Sequence, residues 1–323
     1  MSILNIREAK RAGARLVIGI DALSGDGKTL SALYMAWGLA GGDSSKVGFL
    51  DTENRRGSLY ADKLVDREGK VHPFLIADLD APFTPERYSQ AIKEFQAAGV
   101  EVLVVDSVTH EWEGSGGCSE IAEIDPTTGN PRRMPAWNAA KARHKKFMNA
   151  LLSSDMHIIP CIRSREKMRI EEQGNKKVYV SEGIQPIQEK NFVFELTVSF
   201  QLANNGKSRF VKKCPDELIP VFGAPGEWAD GYLTPRHGTI LRDWVHGIDP
   251  AEREAEKARN ILRSHAENGV KALQKAWNDL PAALRDRLGS VPGDVLASAQ
   301  AFDDAKRTAA SDINDAISGQ AND

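Results

Sequence analysis

The chain has 323 residues, of which 41% are apolar and 27% charged, a composition typical of a soluble globular protein with a substantial core. No apolar run approaches the roughly 20 residues that a membrane-spanning helix needs, and the N-terminus lacks the apolar segment of a signal peptide. We therefore expect a cytoplasmic protein without a membrane partner. The formal net charge of −3 neither indicates nor excludes binding to nucleic acid.

The first predicted element is a strand that leads into a glycine-rich loop and then a helix. Residues 16–21 are an apolar run of the kind that is buried in a parallel sheet. Residues 22–29 fit the P-loop pattern in its looser form, with alanine at the first position. Apolar residues at helical spacing follow until two glycines end the pattern at residues 41 and 42.

The residue types of this loop suit the binding of phosphate groups. Glycines let backbone N–H groups approach phosphate oxygens, and the helix N-terminus adds positive potential. The ammonium group of Lys28 can reach the β- and γ-phosphates, and the Thr29 hydroxyl can ligate Mg²⁺. The alternative is an ordinary strand-to-helix turn, but the context favours a nucleoside triphosphate site. The predicted nucleotide-binding residues of the loop are Ala22, Ser24, Gly25, Asp26, Gly27, Lys28, Thr29 and Leu30.

Two later strand ends carry carboxylates. Residues 46–51 and 74–77 are predicted strands, a helix begins at Pro85 and runs to about residue 98, and residues 102–106 form the clearest strand. Asp106 at its end is placed to hold the Mg²⁺ shell. Glu53 follows the second strand, where ligands of open α/β sheets gather, and can orient or deprotonate water. The alternative for Glu53 is a solvated loop acid.

The remaining pattern divides the chain into a core and a helical region. A helix is predicted over 137–153, a strand over 157–162, a hairpin or mobile loop over 165–181, and an antiparallel hairpin over 192–202 and 208–213. Helices are predicted over 251–267, 270–280, 284–288 and 292–317. We expect an α/β core of residues 1–248, with a mostly parallel sheet, and a small helical appendage of residues 249–323.

Roughly residues 10–225 resemble RecA-type recombinases. The landmarks are the P-loop, the strand end at residues 50–53 and the strand end at residues 104–107. The closest resemblance is to phage-encoded RecA-like ATPases, several of which are single-strand annealing recombinases. It implies a RecA-like P-loop NTPase core that uses ATP and Mg²⁺, with Thr29 and Asp106 at the metal. Glu53 would be the catalytic base, with Lys28 and Asp106 as further catalytic residues, and Tyr60 would stack on adenine. Arg163 or Ser164 stands where the family has a glutamine that senses the γ-phosphate.

The resemblance also implies two DNA-binding loops, at residues 111–136 and 165–190. Cations that neutralise phosphates and an aromatic side chain that stacks on bases, Trp137 or Tyr179, are the features such loops need. The predicted DNA-binding residues are Arg132, Arg133, Lys141, Arg165, Lys167 and Arg169. Lys212 and Lys213 stand where RecA-like filaments carry lysines that reach the neighbouring subunit's γ-phosphate. Solvated charge and a core tryptophan are the alternatives.

The leading interpretation is a DNA-dependent ATPase that assembles on single-stranded DNA and promotes annealing or strand exchange. Its expected partners are single-stranded DNA, further copies of itself in a filament or ring, and a single-strand DNA-binding protein. The expected location is the cytoplasm of a bacterial host. A helicase or helicase loader, and a nucleotide-gated DNA-binding protein without turnover, are the alternatives. The cysteines at 118, 161 and 214 are isolated in the sequence, so a structural zinc site is not expected.

Overall fold

The structure is a computed structural model and describes residues 13–123, 135–173, 176–248 and 250–319. Within these residues the strands are β1 (Ile18–Ala22), β2 (Val47–Asp51), β3 (Leu75–Asp78), β4 (Val102–Asp106), β5 (His157–Gln173), β6 (Lys176–Pro186), β7 (Val198–Ala203), β8 (Ser208–Lys213) and β9 (Trp228–Asp230). The helices are α1 (Lys28–Leu39), α2 (Pro85–Ala97), α3 (Thr109–Glu113), α4 (Cys118–Glu123), α5 (Pro135–Leu152), α6 (Ile219–Phe222), α7 (Pro235–Val245), α8 (Pro250–Ala266), α9 (Val270–Asp279), α10 (Ala282–Leu288) and α11 (Gly293–Gly319).

The strands of the core form one sheet in the order β3-β2-β4-β5-β1-β7-β8-β9, and β6 pairs with β5 outside this order. Neighbours from β3 to β7 are parallel, whereas β6, β8 and β9 run antiparallel to their partners. The predicted α/β class with a mostly parallel sheet is confirmed. Because the parallel strands end at the same edge, the segments after β1, β2, β4 and β5 meet there.

The central strands β1, β2 and β4 are buried on both faces of the sheet, which explains their unbroken apolar runs. Successive side chains of β4 point to opposite faces: Val102 and Val104 pack in the cluster that includes α1, and Leu103 and Val105 pack in the cluster that includes α2 and α5. All four are at most 1% exposed. A one-residue shift in register would move every side chain of β4 to the opposite face, so the register that places Asp106 at the strand end is strongly specified.

Helices α1 and α7 cross at unusually close range on one face of the sheet. A Cβ atom at Gly38 would lie 1.8 Å from the backbone oxygen of Pro235, and one at Gly238 would lie 2.0 Å from that of Met35. The two glycines therefore permit backbone contact between the helices. We did not predict α7 from the sequence, although Thr234 followed by Pro235 is a helix-start signal that the structure uses as a capping box.

The structure confirms one of the two predicted hairpins and corrects part of the other. Residues 165–181 belong to a long antiparallel hairpin of β5 and β6, so the hairpin alternative is confirmed; its turn at residues 174–175 lies outside the described residues. The predicted strand over 192–202 is wrong in its first half, because Phe192–Glu195 is a turn of 3-10 helix and β7 begins at Val198. The physical reason is that Phe192 and Leu196 are buried while Phe194 is 70% exposed, a spacing of four that suits a helical turn.

The chain divides into two compact units, Met1–His246 and Gly247–Asp323. The second unit contains α8 to α11 and has its own core, formed by apolar side chains that include Leu262, Leu273 and Val295. Within it the Asp303 carboxylate accepts a hydrogen bond of 3.0 Å from the backbone N–H of Val270 at the start of α9. This contact satisfies an N–H group that the helix itself cannot satisfy.

Candidate functional site: a P-loop cleft at the carboxyl edge of the sheet

The P-loop connects β1 to α1 through two glycines with positive φ. Gly25 has φ of +91° and Gly27, directly before α1, has φ of +78°, a region of backbone conformation that side chains disfavour. The ammonium nitrogen of Lys28 lies 3.4 Å from the backbone oxygens of both Ala22 and Leu23. Lys28 is thus folded over the loop with 9% of its surface exposed, and the N-terminus of α1 points its free N–H groups into the same space.

The other predicted loop residues surround this cradle. Ser24 and Gly25 are exposed at its rim, and Leu30 is half-buried in the first turn of α1. The Asp26 carboxylate accepts a hydrogen bond of 3.1 Å from the backbone N–H of Asn205, in the turn between β7 and β8. Asp26 therefore braces the loop against the rest of the core.

Thr29 and Asp106 meet at the floor of the cleft. Thr29 Oγ1 donates a hydrogen bond of 2.5 Å to Asp106 Oδ2. Asp106 is 4% exposed, and its Oδ1 is buried with no hydrogen-bond partner among the described residues. Burial, together with repulsion from Glu53, raises the pKa of Asp106 to about 6. An orphaned carboxylate oxygen beside a hydroxyl is a donor set that fits Mg²⁺, which prefers oxygen ligands.

Glu53 is held in position by Asp51, a residue that the sequence analysis did not single out. Asp51 Oδ1 accepts a hydrogen bond of 2.6 Å from the N–H of Glu53, and Oδ2 accepts one of 2.6 Å from the N–H of Gly57. A Cβ atom at Gly57 would lie 2.5 Å from the Phe49 ring, so this position requires glycine. The buried Asp51 carboxylate thus shapes the whole turn that follows β2. An acid that ends a buried strand and precedes a turn is a signal that could have found it.

The carboxylate of Glu53 faces two arginines. Arg163 Nε donates a hydrogen bond of 2.7 Å to Glu53 Oε1, and a nitrogen of Arg56 lies 3.8 Å from Oε2. Burial alone would raise the pKa of Glu53, but the hydrogen bond from Arg163 and the charges of Arg163 and Lys28 outweigh it and lower the pKa. Glu53 is therefore ionised at neutral pH, as a proton acceptor must be.

Thr52 and His110 connect the ends of β2 and β4. Thr52 Oγ1 accepts a hydrogen bond of 2.8 Å from the N–H of Ser107 and lies 2.8 Å from His110 Nδ1. Burial, followed by the charge of Arg163, lowers the pKa of His110, which also stacks on Phe83 with ring centroids 4.9 Å apart. Thr52 was missed because a threonine after a strand carries no chemical signature of its own.

Two adjoining cavities form the cleft above these groups. One, of about 270 Å³, is lined by Lys28, Thr29, Tyr60, Asp106 and further P-loop residues. The other, of about 520 Å³, is lined by residues that include Thr52, Phe83 and His110. Ser24, Glu53, Arg56 and Arg163 line both cavities. The fold therefore brings Tyr60 and Arg163 to the same cleft as the P-loop, while their roles there remain predictions.

Lys212 has a partner within its own chain. Its ammonium nitrogen lies 2.8 Å from both carboxylate oxygens of Asp21, which also accepts a hydrogen bond of 2.9 Å from Ser164. Asp21 is 2% exposed, and burial raises its pKa despite this pairing. A contact of Lys212 with a neighbouring subunit would leave a buried carboxylate without its cation. Lys213 is exposed and donates to the backbone oxygen of Phe194 at 2.9 Å, and a contact between subunits stays a prediction for both lysines.

The predicted DNA-binding residues fall into three groups. Arg132 and Arg133 lie outside the described residues. Lys141 is exposed on α5. The hairpin residues are all ion-paired: Arg165 with Glu113 at 3.0 Å, Lys167 with Glu182 at 2.9 Å, and Arg169 with Glu171 and Glu182.

The two aromatic candidates for base stacking differ in exposure. Trp137 packs with Trp112, with ring centroids 6.3 Å apart, beside the buried Cys118 and Ala140. This packing supports the alternative of a core tryptophan. Tyr179 on β6 is 68% exposed. Tyr179 is therefore the more accessible of the two, and base stacking by it stays a prediction.

The fold and the cleft together define a P-loop NTPase. Residues 15–201 match the AAA domain family AAA_24. The chain therefore belongs to this AAA domain family.

A structural comparison finds the KaiC-like protein PH0186 from the hyperthermophilic archaeon Pyrococcus horikoshii OT3, with 14% sequence identity, a TM-score of 0.35, and coverage of 66% of this chain and 90% of that one. A comparison with curated protein sequences gives no match. Among the described residues, no helix is long and apolar enough to cross a membrane.

Proposed function

We propose that this protein hydrolyses ATP in the P-loop cleft and couples the reaction to single-stranded DNA, in annealing or strand exchange. The observation that carries the ATPase proposal is the convergence of Lys28, the Thr29–Asp106 pair and Glu53 on one cleft from the ends of β1, β4 and β2. A P-loop ATPase needs these three elements, namely a phosphate cradle, a metal-holding pair and an acceptor for the proton of water.

Each residue has a defined part in the proposed reaction. Lys28 and the N–H groups at the start of α1 would bind the phosphates, and Thr29 with Asp106 would hold Mg²⁺. When bound, Mg²⁺ neutralises charge that develops on the phosphate oxygens. Glu53 would accept a proton as the water oxygen attacks the terminal phosphorus, and the bond to the bridging oxygen of ADP breaks. The hydrogen bond from Arg163 to Oε1 lowers the pKa of Glu53 and so weakens it as a base, and a terminal phosphate is an anion that could attract Arg163 away.

The proposal that DNA is the partner depends on the path of β5. The strand pairs with β1 up to Arg163, which touches Glu53, and pairs with β6 from Ser164 onward. The exposed Arg165 follows two residues after Arg163 on the same strand. A change at the nucleotide is therefore transmitted directly to the base of the hairpin. The carboxylate partners of the hairpin cations would have to give way to DNA phosphates, whose binding is favoured by the release of counterions from the DNA.

A homo-oligomer, either filament or ring, belongs to the same proposal. The exposed apolar side chains Met168 and Ile170, at 50% and 53% exposure, lie on the hairpin beside its cations. A protein–protein contact and a DNA contact could therefore share this hairpin in an assembly on a strand. A single-strand DNA-binding protein as a further partner is proposed on the sequence resemblance alone.

The test of the ATPase is turnover with and without single-stranded DNA. We expect Glu53→Gln to lower kcat by about 100-fold or more, since general-base catalysis contributes that much, while ATP affinity stays within a few-fold. Glu68→Gln, which changes an exposed carboxylate, is the matched control and should leave kcat unchanged. Equal turnover for wild type and Glu53→Gln would refute the assignment of Glu53.

The test of the DNA proposal is the salt dependence of binding to a labelled oligonucleotide. Replacing Arg165, Lys167 and Arg169 with glutamine should lower affinity and reduce the slope of log K against log salt by about 2, given about 0.7 per phosphate contact on single strands. Glutamine at Arg285, Lys271 and Lys275, in the second unit, is the control. An unchanged slope in the hairpin variant would refute DNA binding there.

One observation favours a second candidate, a nucleotide-gated DNA-binding protein without turnover. The Arg163–Glu53 hydrogen bond of 2.7 Å occupies one oxygen of the carboxylate that would accept the proton. If this pair persists with ATP bound, the protein would bind ATP and DNA but turn over no faster than Glu53→Gln. The turnover assay therefore separates the two candidates.

A further inference from the structure

Three ligand-type side chains meet in the core away from the P-loop cleft. Glu111 lies on α3, Cys118 begins α4 and His144 lies on α5, and they are 0%, 0% and 5% exposed. Cys118 Sγ lies 3.2 Å from Glu111 Oε1, and His144 Nδ1 lies 3.1 Å from Oε1 and 3.0 Å from Oε2. The sequence analysis expected no such site because the cysteine has no partner nearby in sequence; the fold supplies the histidine 26 positions later.

The spacing of these atoms suits a small divalent cation. Around tetrahedral Zn²⁺, with bonds of about 2.0–2.3 Å, neighbouring nitrogen, oxygen and sulfur ligands lie about 3.3–3.6 Å apart. The observed separations of 3.0–3.2 Å are a few tenths of an ångström shorter. Side-chain rotation by a small angle would open the triad enough to admit the ion. The combination of thiolate, imidazole and carboxylate favours zinc over magnesium or calcium, which take oxygen ligands.

We propose that Glu111, Cys118 and His144 form a structural Zn²⁺ site that fastens α3 and α4 to α5. The triad supplies three of the four ligands of tetrahedral Zn²⁺, and water would complete the set. Two of the ligands are anionic when bound, so a dication would be neutralised by the protein without any cation from elsewhere. The competing arrangement is a hydrogen-bonded triad without metal, in which the thiol and the imidazole both donate to the carboxylate.

Zinc binds the thiolate form of cysteine, so coordination at Cys118 would release the thiol proton to solvent as the S–Zn bond forms.

The site has a short covalent path to the P-loop cleft but does not depend on the function proposed there. Glu111 is adjacent to His110, whose ring nitrogen lies 2.8 Å from Thr52 Oγ1. Thr109 Oγ1 accepts a hydrogen bond of 2.9 Å from the N–H of Arg163. A metal at Glu111 would therefore hold the start of α3, and with it the wall of the cleft, in a fixed position.

The experiment is metal binding by the full-length chain stripped with a chelator and then titrated with Zn²⁺ or Co²⁺ alone. We expect one ion per chain and, with cobalt, the charge-transfer absorption of a metal–thiolate bond. Loss of a residue that only hydrogen-bonds to a metal ligand lowers metal affinity by up to about 100-fold. Loss of the ligating thiolate itself in Cys118→Ser should lower the affinity by more than that. Cys214→Ser, which alters another buried cysteine, should bind as wild type does.

A second variant keeps the proposal testable if Cys118→Ser does not fold. A chain with Cys161→Ala and Cys214→Ala retains Cys118 as its only thiol, and it should still give the cobalt–thiolate absorption. In addition, Zn²⁺ should raise the Tm of the wild type by mass action. Absence of the absorption in the wild type, binding that survives Cys118→Ser, or a Tm unaffected by saturating Zn²⁺ would each overturn the proposal in favour of the metal-free triad.

Discussion

Replacing Asp106 with asparagine is expected to stabilise the ligand-free protein while removing an oxygen ligand from the proposed Mg²⁺ site. The carboxylate is 4% exposed, and its Oδ1 has no hydrogen-bond partner among the described residues. Burial and repulsion from Glu53 raise its pKa from the ordinary 3.8 to about 6. Asparagine keeps an oxygen that can accept the hydrogen bond from Thr29 but carries no charge into the core.

The magnitude follows from the pKa difference between the folded and unfolded chains. Each pH unit of difference corresponds to about 1.4 kcal/mol, so the ionised carboxylate costs the fold about 3 kcal/mol above pH 6. Because the pKa of Asp106 is higher in the folded chain, its contribution to the free energy of unfolding is fully present in acid. This contribution is lost as the pH rises through about 6. At pH 5 about half of the cost remains.

The assay is urea denaturation in the presence of EDTA at pH 7.5 and pH 5. Asp106→Asn should raise the free energy of unfolding by up to about 3 kcal/mol at pH 7.5 and by about half of that at pH 5. Asp80→Asn, which alters an exposed carboxylate, should leave it unchanged at both. Mg²⁺ with ATP should stabilise the wild type but not Asp106→Asn. A destabilised variant at pH 7.5, or a gain of equal size at the two pH values, would refute the reasoning.

Three further changes test the contacts around the cleft. Arg163→Ala removes the hydrogen bond and charge that lower the pKa of Glu53, so the acidic limb of the kcat–pH profile should move to higher pH, and by less in Arg56→Ala. Lys212→Met leaves Asp21 buried without its cation and should lower the free energy of unfolding by about 3 kcal/mol in urea denaturation, part of which Asp21→Asn should restore in the double variant. Gly38→Ala places a Cβ 1.8 Å from a backbone oxygen of α7. This change should lower the free energy of unfolding by about 1–3 kcal/mol or more, which would be measured as a lower Tm. For this change Gly293→Ala is the control, because nothing lies within 4 Å of its added Cβ.

The parts of the fold that could be predicted are those where one local signal determines the structure. The apolar run of β4 is explained by burial on both faces, and the glycine-rich loop by the turn it must make before α1. Helix α7 was missed because it is only half-buried and has a low hydropathy, so its sequence pattern resembles that of the surrounding loops. Residues 192–195 were assigned the wrong structure because the buried Phe192 and the exposed Phe194 cannot be distinguished by residue type.

In the candidate site, the residues that strand topology alone brings together were predictable, and their hydrogen-bond partners were not. Lys28, Asp106 and Glu53 stand at strand ends, and parallel strands bring their ends together, so their convergence follows from topology. The partners of these groups depend instead on register and side-chain reach. Arg163 reaches Glu53 because Ala22 pairs with Arg163 and Asp51 pairs with Asp106 across the sheet. The triad of Glu111, Cys118 and His144 requires the packing of three helices, which no sequence spacing encodes.

The ion pairs of β5 give the proposed coupling a specific structural basis. Arg163 and Arg165 are two residues apart on one strand, about 7 Å in extended chain, and each is bound to an acid on a different element: Glu53 after β2 and Glu113 at the end of α3. If a terminal phosphate draws Arg163 away from Glu53, we propose that the base of the β5–β6 hairpin adjusts and that the Arg165–Glu113 pair opens. Arg165 then becomes available to a DNA phosphate. Binding of ATP and of DNA would thereby favour one another, and linkage requires the effect to be equal in both directions.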